Sequence, residues 1–109
     1  MRIWDLPPEK LCRGHLLGEH RELHALWVIL TQGKQAYARH PETGRWRGKL
    51  KALYLRHQKL VEEMAQRGYV HASPLDPALA AGTPIQQDYV DSVEDQVKLL
   101  KLKNCGCRV

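Results

Sequence analysis

Trp46, Leu50, Leu53, His57, Leu60 and Met64 recur at alternating steps of four and three. That spacing places all six on one side of an α-helix, whereas a strand would turn every second residue to the opposite face. It predicts a helix from about Thr43 or Gly44 to Arg67, with Gly68 as its stop. His57 on this stripe reads as a core histidine. A second stretch, Cys12 to Thr31, carries Leu16, Leu23, Trp27 and Leu30 at helical spacing and ends at Gly33. A third helix is expected to open at Thr83-Pro84-Ile85-Gln86. There Thr83 suits the N-cap, Pro84 the first helical position and Gln86 the far side of a capping box. Val90, Val93, Val97 and Leu100 would form its apolar face. Pro7 and Pro8 mark the turn into the first helix, and residues 33–44 and 69–82 read as loops. No segment alternates as a strand does. The expectation is an all-α single domain over residues 1–103. About three amphipathic helices bury one another's stripes, with an N-terminal segment packed against the core and a flexible tail at 104–109.

The chain carries a net charge of +5 with a pI near 9.3, which favours an anionic partner. The excess sits in the middle third, where residues 34–67 hold nine basic and three acidic groups. Arg45, Lys49 and Arg56 flank the apolar stripe of the second helix, so they are candidates for a phosphate track; the plain alternative is a solvated basic face. Three cysteines exclude a complete disulfide framework. Cys12 fits a small boundary residue of the first helix. Cys105 and Cys107 form a C-x-C near the end, and two thiols without further nearby ligands make a poor zinc site. No metal is expected. No apolar run is long enough to span a bilayer, and the opening residues lack a signal peptide's apolar stretch, so a cytoplasmic protein is expected, nucleoid-associated when bound to DNA.

The first helix is unusual on one side. His15, Glu19 and Glu22, at steps of four and three, share a face about 70–100° from the Leu16/Leu23/Trp27 stripe. This is a boundary face, neither core nor fully solvated. Two carboxylates one turn apart repel, and partial burial raises their pKa values; the plain reading is a solvated pair neutralised by Arg2, Arg13 or Lys10. The start of the chain adds a second feature. Arg2 at the second position blocks removal of the initiator methionine, so Met1 is expected to remain. Ile3, Trp4 and Leu6 can anchor the segment and hold its α-amine in place. An unperturbed α-amine has a pKa of about 7.7–8.0 against about 10.4 for lysine, which leaves a useful neutral fraction at physiological pH.

The stretch Arg2-Ile3-Trp4 through Leu11-Cys12-Arg13-Gly14-His15-Leu16-Leu17-Gly18-Glu19-His20-Arg21-Glu22-Leu23 resembles the pyrimidine-dimer DNA glycosylase/AP lyase family, in particular its shorter cellular branch. The likeness continues through His40-Pro41-Glu42-Thr43, Arg45-Trp46, Arg56-His57 and Arg67-Gly68-Tyr69, covering about residues 1–75. It implies a repair enzyme for UV-induced cyclobutane pyrimidine dimers, working on double-stranded damaged DNA as a monomer without a cofactor. Met1 falls where the family's nucleophilic N-terminal residue sits, and Glu22 matches its catalytic glutamate. Arg2 matches the basic residue expected to contact DNA. His15, Glu19 and Arg21 match neighbours that bind DNA or orient the nucleophile. The phage member's nucleophile is a threonine exposed by methionine removal, whereas Met1 holds the place here. Ala25 stands where that member has an arginine, and its aromatic-rich tail has no counterpart.

Three other readings remain open on the residues. The resemblance implies attack of the α-amine on C1′ through an imine, followed by strand cutting by β-elimination, and the same imine chemistry could serve another damaged base or an abasic site. A non-catalytic DNA-binding module could use the basic helix, although it would have no need of Glu19 and Glu22 near a buried N-terminus. A metal enzyme could draw on His15, His20, His24 and Glu19, but the chain has no H-E-x-x-H and His15 faces away from the other two histidines.

Overall fold

The computed structural model describes residues 1–71 and 73–109. Four α-helices make up its regular structure: α1 (Arg13–Gln32), α2 (Pro41–Arg45), α3 (Leu50–Gln66) and α4 (Val93–Lys103). Two short 3-10 turns, Pro8–Lys10 and Pro77–Leu79, punctuate the connections, and no strand occurs among the described residues. The all-α expectation is met. No helix among the described residues is long and apolar enough to cross a membrane.

The two long helices pack face to face, as their stripes require. Leu16, Leu23 and Trp27 of α1 meet the buried Leu53, Leu60 and Met64 of α3. Ile3, Trp4 and Leu6 of the extended N-terminal segment and Leu100 of α4 close the same core. Gly33 ends α1 in the left-handed region at φ 66°, and the next residue's N–H reaches back to the Ile29 carbonyl at 3.2 Å. Gly68 does the same for α3, with the Tyr69 N–H on the Met64 carbonyl at 2.9 Å. His57 is fully buried, as the stripe predicts, but it is surrounded by other imidazoles: His20, His24 and His71 all have ring centroids within 5.2 Å of it.

Two expectations are corrected. The second helix is broken at residues 46–49, where Gly48 adopts φ 73°, so Trp46 belongs to the turn after α2 although it is buried on the expected side. The third helix begins at Val93, ten residues beyond Thr83. Thr83 instead closes a local turn through its hydroxyl, which accepts from the Ile85 N–H at 3.2 Å. Gln86 is drawn into bonds with another element, donating to the Arg45 carbonyl at 2.7 Å and accepting from Lys49. The working N-cap is Ser92, whose Oγ accepts from the Asp95 N–H at 3.1 Å. Glu94 and Asp95 in the first turn and Lys101 and Lys103 in the last complement the helix dipole. Val90 lies outside the helix and is exposed.

The start of α3 has no side-chain cap. A strap of residues 81–83 serves instead: the Lys51 N–H donates to the Ala81 carbonyl at 2.8 Å and the Ala52 N–H to the Thr83 carbonyl at 3.2 Å. Gly82 lets the strap approach, for a Cβ there would stand 2.1 Å from the Gly48 carbonyl oxygen, and its φ is +88°. Gly82→Ala is therefore expected to destabilise the fold by about 2–3 kcal/mol. Urea denaturation measures it, and an unchanged midpoint would show that the strap does not cap α3.

Candidate functional site

The first residues of the chain run extended between the helices, and side chains hold five of their backbone polar atoms. The Ile3 N–H donates to Glu42 Oε1 at 3.2 Å, the Trp4 N–H to Glu19 Oε1 at 3.0 Å and the Asp5 N–H to Gln96 Oε1 at 2.8 Å. Three successive amides are thus bound by side chains from α2, α1 and α4. Two arginines take the carbonyls: Arg45 donates to Ile3 at 2.9 Å and Arg56 to Leu6 at 2.8 Å. The same arginines neutralise the acceptors. Arg56 grips both oxygens of Glu19, at 2.7 and 3.0 Å. Arg45 pairs with Glu42 at 2.7 Å and with Asp5 at 3.0 Å. Bidentate pairing of this kind is what permits charges to be buried.

Local sequence explains α2's part. His40 caps it, its Nδ1 accepting from the Glu42 N–H at 3.0 Å, and Pro41 takes the first helical position. This turn points Glu42 inward, where its Oε1 also accepts from the Trp46 indole N–H at 3.1 Å. Burial holds the Glu19 carboxyl above its ordinary value near 4.5, against the opposing pull of Arg56 and the Trp4 amide.

Beyond this clamp, Met1, Arg2, Trp4, His15, Glu19 and Glu22 line one surface pocket of about 360 Å³, completed by Gly14, Gly18, Leu99 and Lys103. The Met1 side chain packs against the core. Glu22 is half-buried, so its carboxylate stands at the pocket wall and not in the interior. Gly14, Gly18 and Glu22 follow one another at steps of four along α1, and a Cβ on either glycine would meet nothing within 4 Å. Glycine inside a helix costs about 0.5–1 kcal/mol relative to alanine; here it leaves the wall bare in front of Glu22. A larger groove, about 700 Å³, opens on the other side of the N-terminal segment between Pro7, Pro8 and the Arg56–Gln66 side of α3, and does not include Met1.

The candidate residues divide into two groups. Met1, Arg2, His15, Glu19 and Glu22 come together; Arg21 is exposed on α1 outside the pocket lining. Arg2 lies 4.9 Å over the Trp4 ring and pairs with Asp91 at 2.8 Å. His15 meets the Trp4 ring edge-on at 5.6 Å, and its pKa is lowered, by burial first and then by Lys103. The phosphate track is corrected. Arg45 is 8% exposed and spent on the clamp, Arg56 is committed to Glu19, and Lys49 pairs with Asp88 and Gln86. A buried guanidinium cannot be left without partners, so the two arginines went to internal carboxylates, while Lys49 pairs with the exposed Asp88. Glu19 is 2% exposed, and its carboxylate is engaged by the Trp4 N–H and by Arg56. Glu42, Gln96, Lys103 and the two pocket glycines were missed; only Glu42 had a signal, its place in a Pro-x-x-x-Arg turn with an apolar neighbour.

Residues 1–77 match the family model described as pyrimidine dimer DNA glycosylase. The chain belongs to that family. No curated protein and no solved structure matches it. Membership makes this a DNA repair glycosylase, and every residue of the clamp except Gln96 falls inside the matched span.

Two variants test the site's construction. In Arg56→Met the Glu19 carboxyl loses its opposing pull, so its folded pKa climbs further above the unfolded value and the folded chain binds more protons. The variant's deficit against the parent is then small in acid and grows as pH rises above the parent's own raised Glu19 pKa, to about 3 kcal/mol at neutrality. Urea titrations at both pH values decide it, a pH-independent deficit counting against the clamp. Gly18→Ala is expected to stabilise α1 by about 0.5–1 kcal/mol, while Gly18→Leu fills the pocket and abolishes excision with no loss of thermal stability.

Proposed function

We propose that the chain excises cyclobutane pyrimidine dimers and then cuts the strand, with the Met1 α-amine as nucleophile and Glu22 as the acting carboxylate. The observation that carries this reading is the shared pocket: the start of the chain is fixed by three side-chain-to-amide bonds and opens beside Glu22, with no other unpaired carboxylate among the described residues lining the same space.

The amine nitrogen attacks C1′ of the 5′ nucleotide of the dimer. The glycosidic bond breaks with its electron pair on the base, which takes up a proton. Loss of the amine proton and opening of the sugar ring leave an imine between Met1 and C1′. Glu22, negatively charged at the pocket wall, stabilises the positive charge that builds on the sugar and then moves protons. Removal of a C2′ proton expels the 3′ phosphate by β-elimination, and water releases the amine by hydrolysing the imine. No step calls on a cofactor.

Binding of the duplex falls to the cations at the pocket, Arg2 and Lys103, and to the exposed Arg13 and Arg21 of α1. Phosphate contacts of this kind are salt-sensitive. A dimer is already poorly stacked, which lowers the cost of extruding a nucleotide opposite the pocket.

Sodium borohydride trapping with untagged protein tests the reading. A duplex with one defined dimer is expected to give a covalent adduct that an N-terminal extension abolishes. Glu22→Gln should slow excision by about 10²–10⁴-fold while leaving the fold intact. An adduct on an abasic duplex alone moves the substrate to another lesion, and no adduct on either overturns the amine chemistry.

A further inference from the structure

We propose that Cys12, His15, Cys105 and Cys107 form a structural zinc site that fastens the end of the chain to the start of α1, beside the Met1–Glu22 pocket. The four donor atoms lie within 4.8 Å of one another. Cys12 Sγ stands 3.1 Å from His15 Nδ1, Cys107 Sγ 3.5 Å from the same nitrogen, and Cys105 Sγ 3.4 Å from Cys107 Sγ. A tetrahedral zinc, with bonds of about 2.3 Å to sulfur and about 2.0–2.1 Å to nitrogen, spaces its donors roughly 3.5–3.8 Å apart. These three separations are within about half an ångström of that geometry, and they join residues 95 positions apart at the extremes.

The backbone is arranged to bring them there. Cys12 is the N-cap of α1 and His15 lies one turn in, so both side chains leave the same end of the helix. Asn104 at φ 49° and Gly106 at φ 95° turn the tail back from α4. The Arg108 N–H then donates to the Lys10 carbonyl at 2.7 Å, and the Arg108 guanidinium to the Glu9 carbonyl at 2.8 Å. The Cys12 N–H points at Cys107 Sγ at 3.1 Å, the outer-shell bond that a metal-bound thiolate accepts. All three cysteines are free. From sequence the C-x-C lacked neighbours; the fold supplies a third thiol and an imidazole. Four protein donors leave no open position, so the ion is structural. Through His15 it braces the Trp4 ring, whose amide the carboxylate clamp holds.

Independent geometry points to a second site, for a divalent transition metal, at His20, His24, His57 and His71. These four nitrogens also lie within 4.8 Å of one another. His24 Nε2 is 3.2 Å from His20 Nε2 and 3.1 Å from His57 Nε2, close to the roughly 3.3 Å between nitrogens on a tetrahedral zinc. Hydrogen bonding alone does not satisfy them. His57 Nδ1 faces Gln58 Oε1 at 2.8 Å and so carries the proton, which leaves a lone pair on Nε2. A single proton on His24 must then be shared between two neighbours, and the buried His71 Nε2 finds no partner among the described residues. One cation accepts all four lone pairs, with Gln58 fixing the His57 tautomer from outside.

Metal analysis of the untagged protein, made in zinc-supplemented medium and desalted without chelator, tests both sites and needs no DNA, so its outcome is separate from that of the glycosylase reading. The expectation is one metal ion per chain at each site. Cys105→Ser and Cys107→Ser should each lose the first ion and keep the second, and His71→Ala the reverse. Cobalt loading of the parent chain guards against variants that fail to fold: thiolate-to-cobalt charge transfer in the near ultraviolet reports the first site. The d–d bands that persist in Cys107→Ser report the second. Full zinc in a folded Cys105→Ser/Cys107→Ser chain overturns the first site, and full metal in folded His71→Ala overturns the second. A metal-free parent chain whose thermal midpoint ignores added zinc and that shows no cobalt bands overturns both.

Discussion

The fold depends on how it holds three consecutive amides. Strands on both sides would satisfy Ile3, Trp4 and Asp5 with carbonyls, but no strand occurs among the described residues. Here Glu42, Glu19 and Gln96 stand in for a neighbouring strand, each from a different helix. Two of these substitutes are charged and deeply buried, a costly arrangement unless each charge is matched. Arg45 and Arg56 match them and, with their remaining N–H groups, take the carbonyls of the same segment. The result is a directional lock. Apolar contacts from Ile3, Trp4 and Leu6 would hold the segment down without fixing its register.

This lock explains how α1 divides its surface. One stripe packs on α3, and an adjoining one carries the bare glycines, Glu22 and the buried Glu19. The helix gives up intrinsic stability at Gly14 and Gly18 and recovers it through packing, since Leu16, Leu23 and Leu26 are wholly buried around them. A site built on a long helix and a tethered segment has its geometry set by the core and not by a loop.

Much of this was legible in the residues. Apolar spacing gave the two long helices and Gly33 and Gly68 their ends, because local periodicity and left-handed caps are encoded within a few residues. The pocket group Met1, Arg2, His15, Glu19 and Glu22 was legible from one helical face and from a resemblance. What sequence could not show was non-local. Arg45 and Arg56 look like surface cations on a helical wheel, and only the path of the first six residues turns them inward. The helix misplaced at Thr83 has the same cause: its capping box is sound locally, but Gln86 is more strongly engaged by Arg45 and Lys49. Ser92-Val93-Glu94-Asp95 carried an equally good local signal ten residues on. The cysteine and histidine clusters were dispersed over the chain, and no spacing rule joins Cys12 to Cys107 or His20 to His71.

The sequence separations within the lock have a consequence for folding. Its three amides find their acceptors 15, 39 and 91 residues along the chain. Contacts this far apart in sequence form later than the helices that carry them, so the register of residues 3–5 is complete only once α4 docks and brings Gln96 to the Asp5 N–H. The order in which the lock closes is written into the distances between its partners.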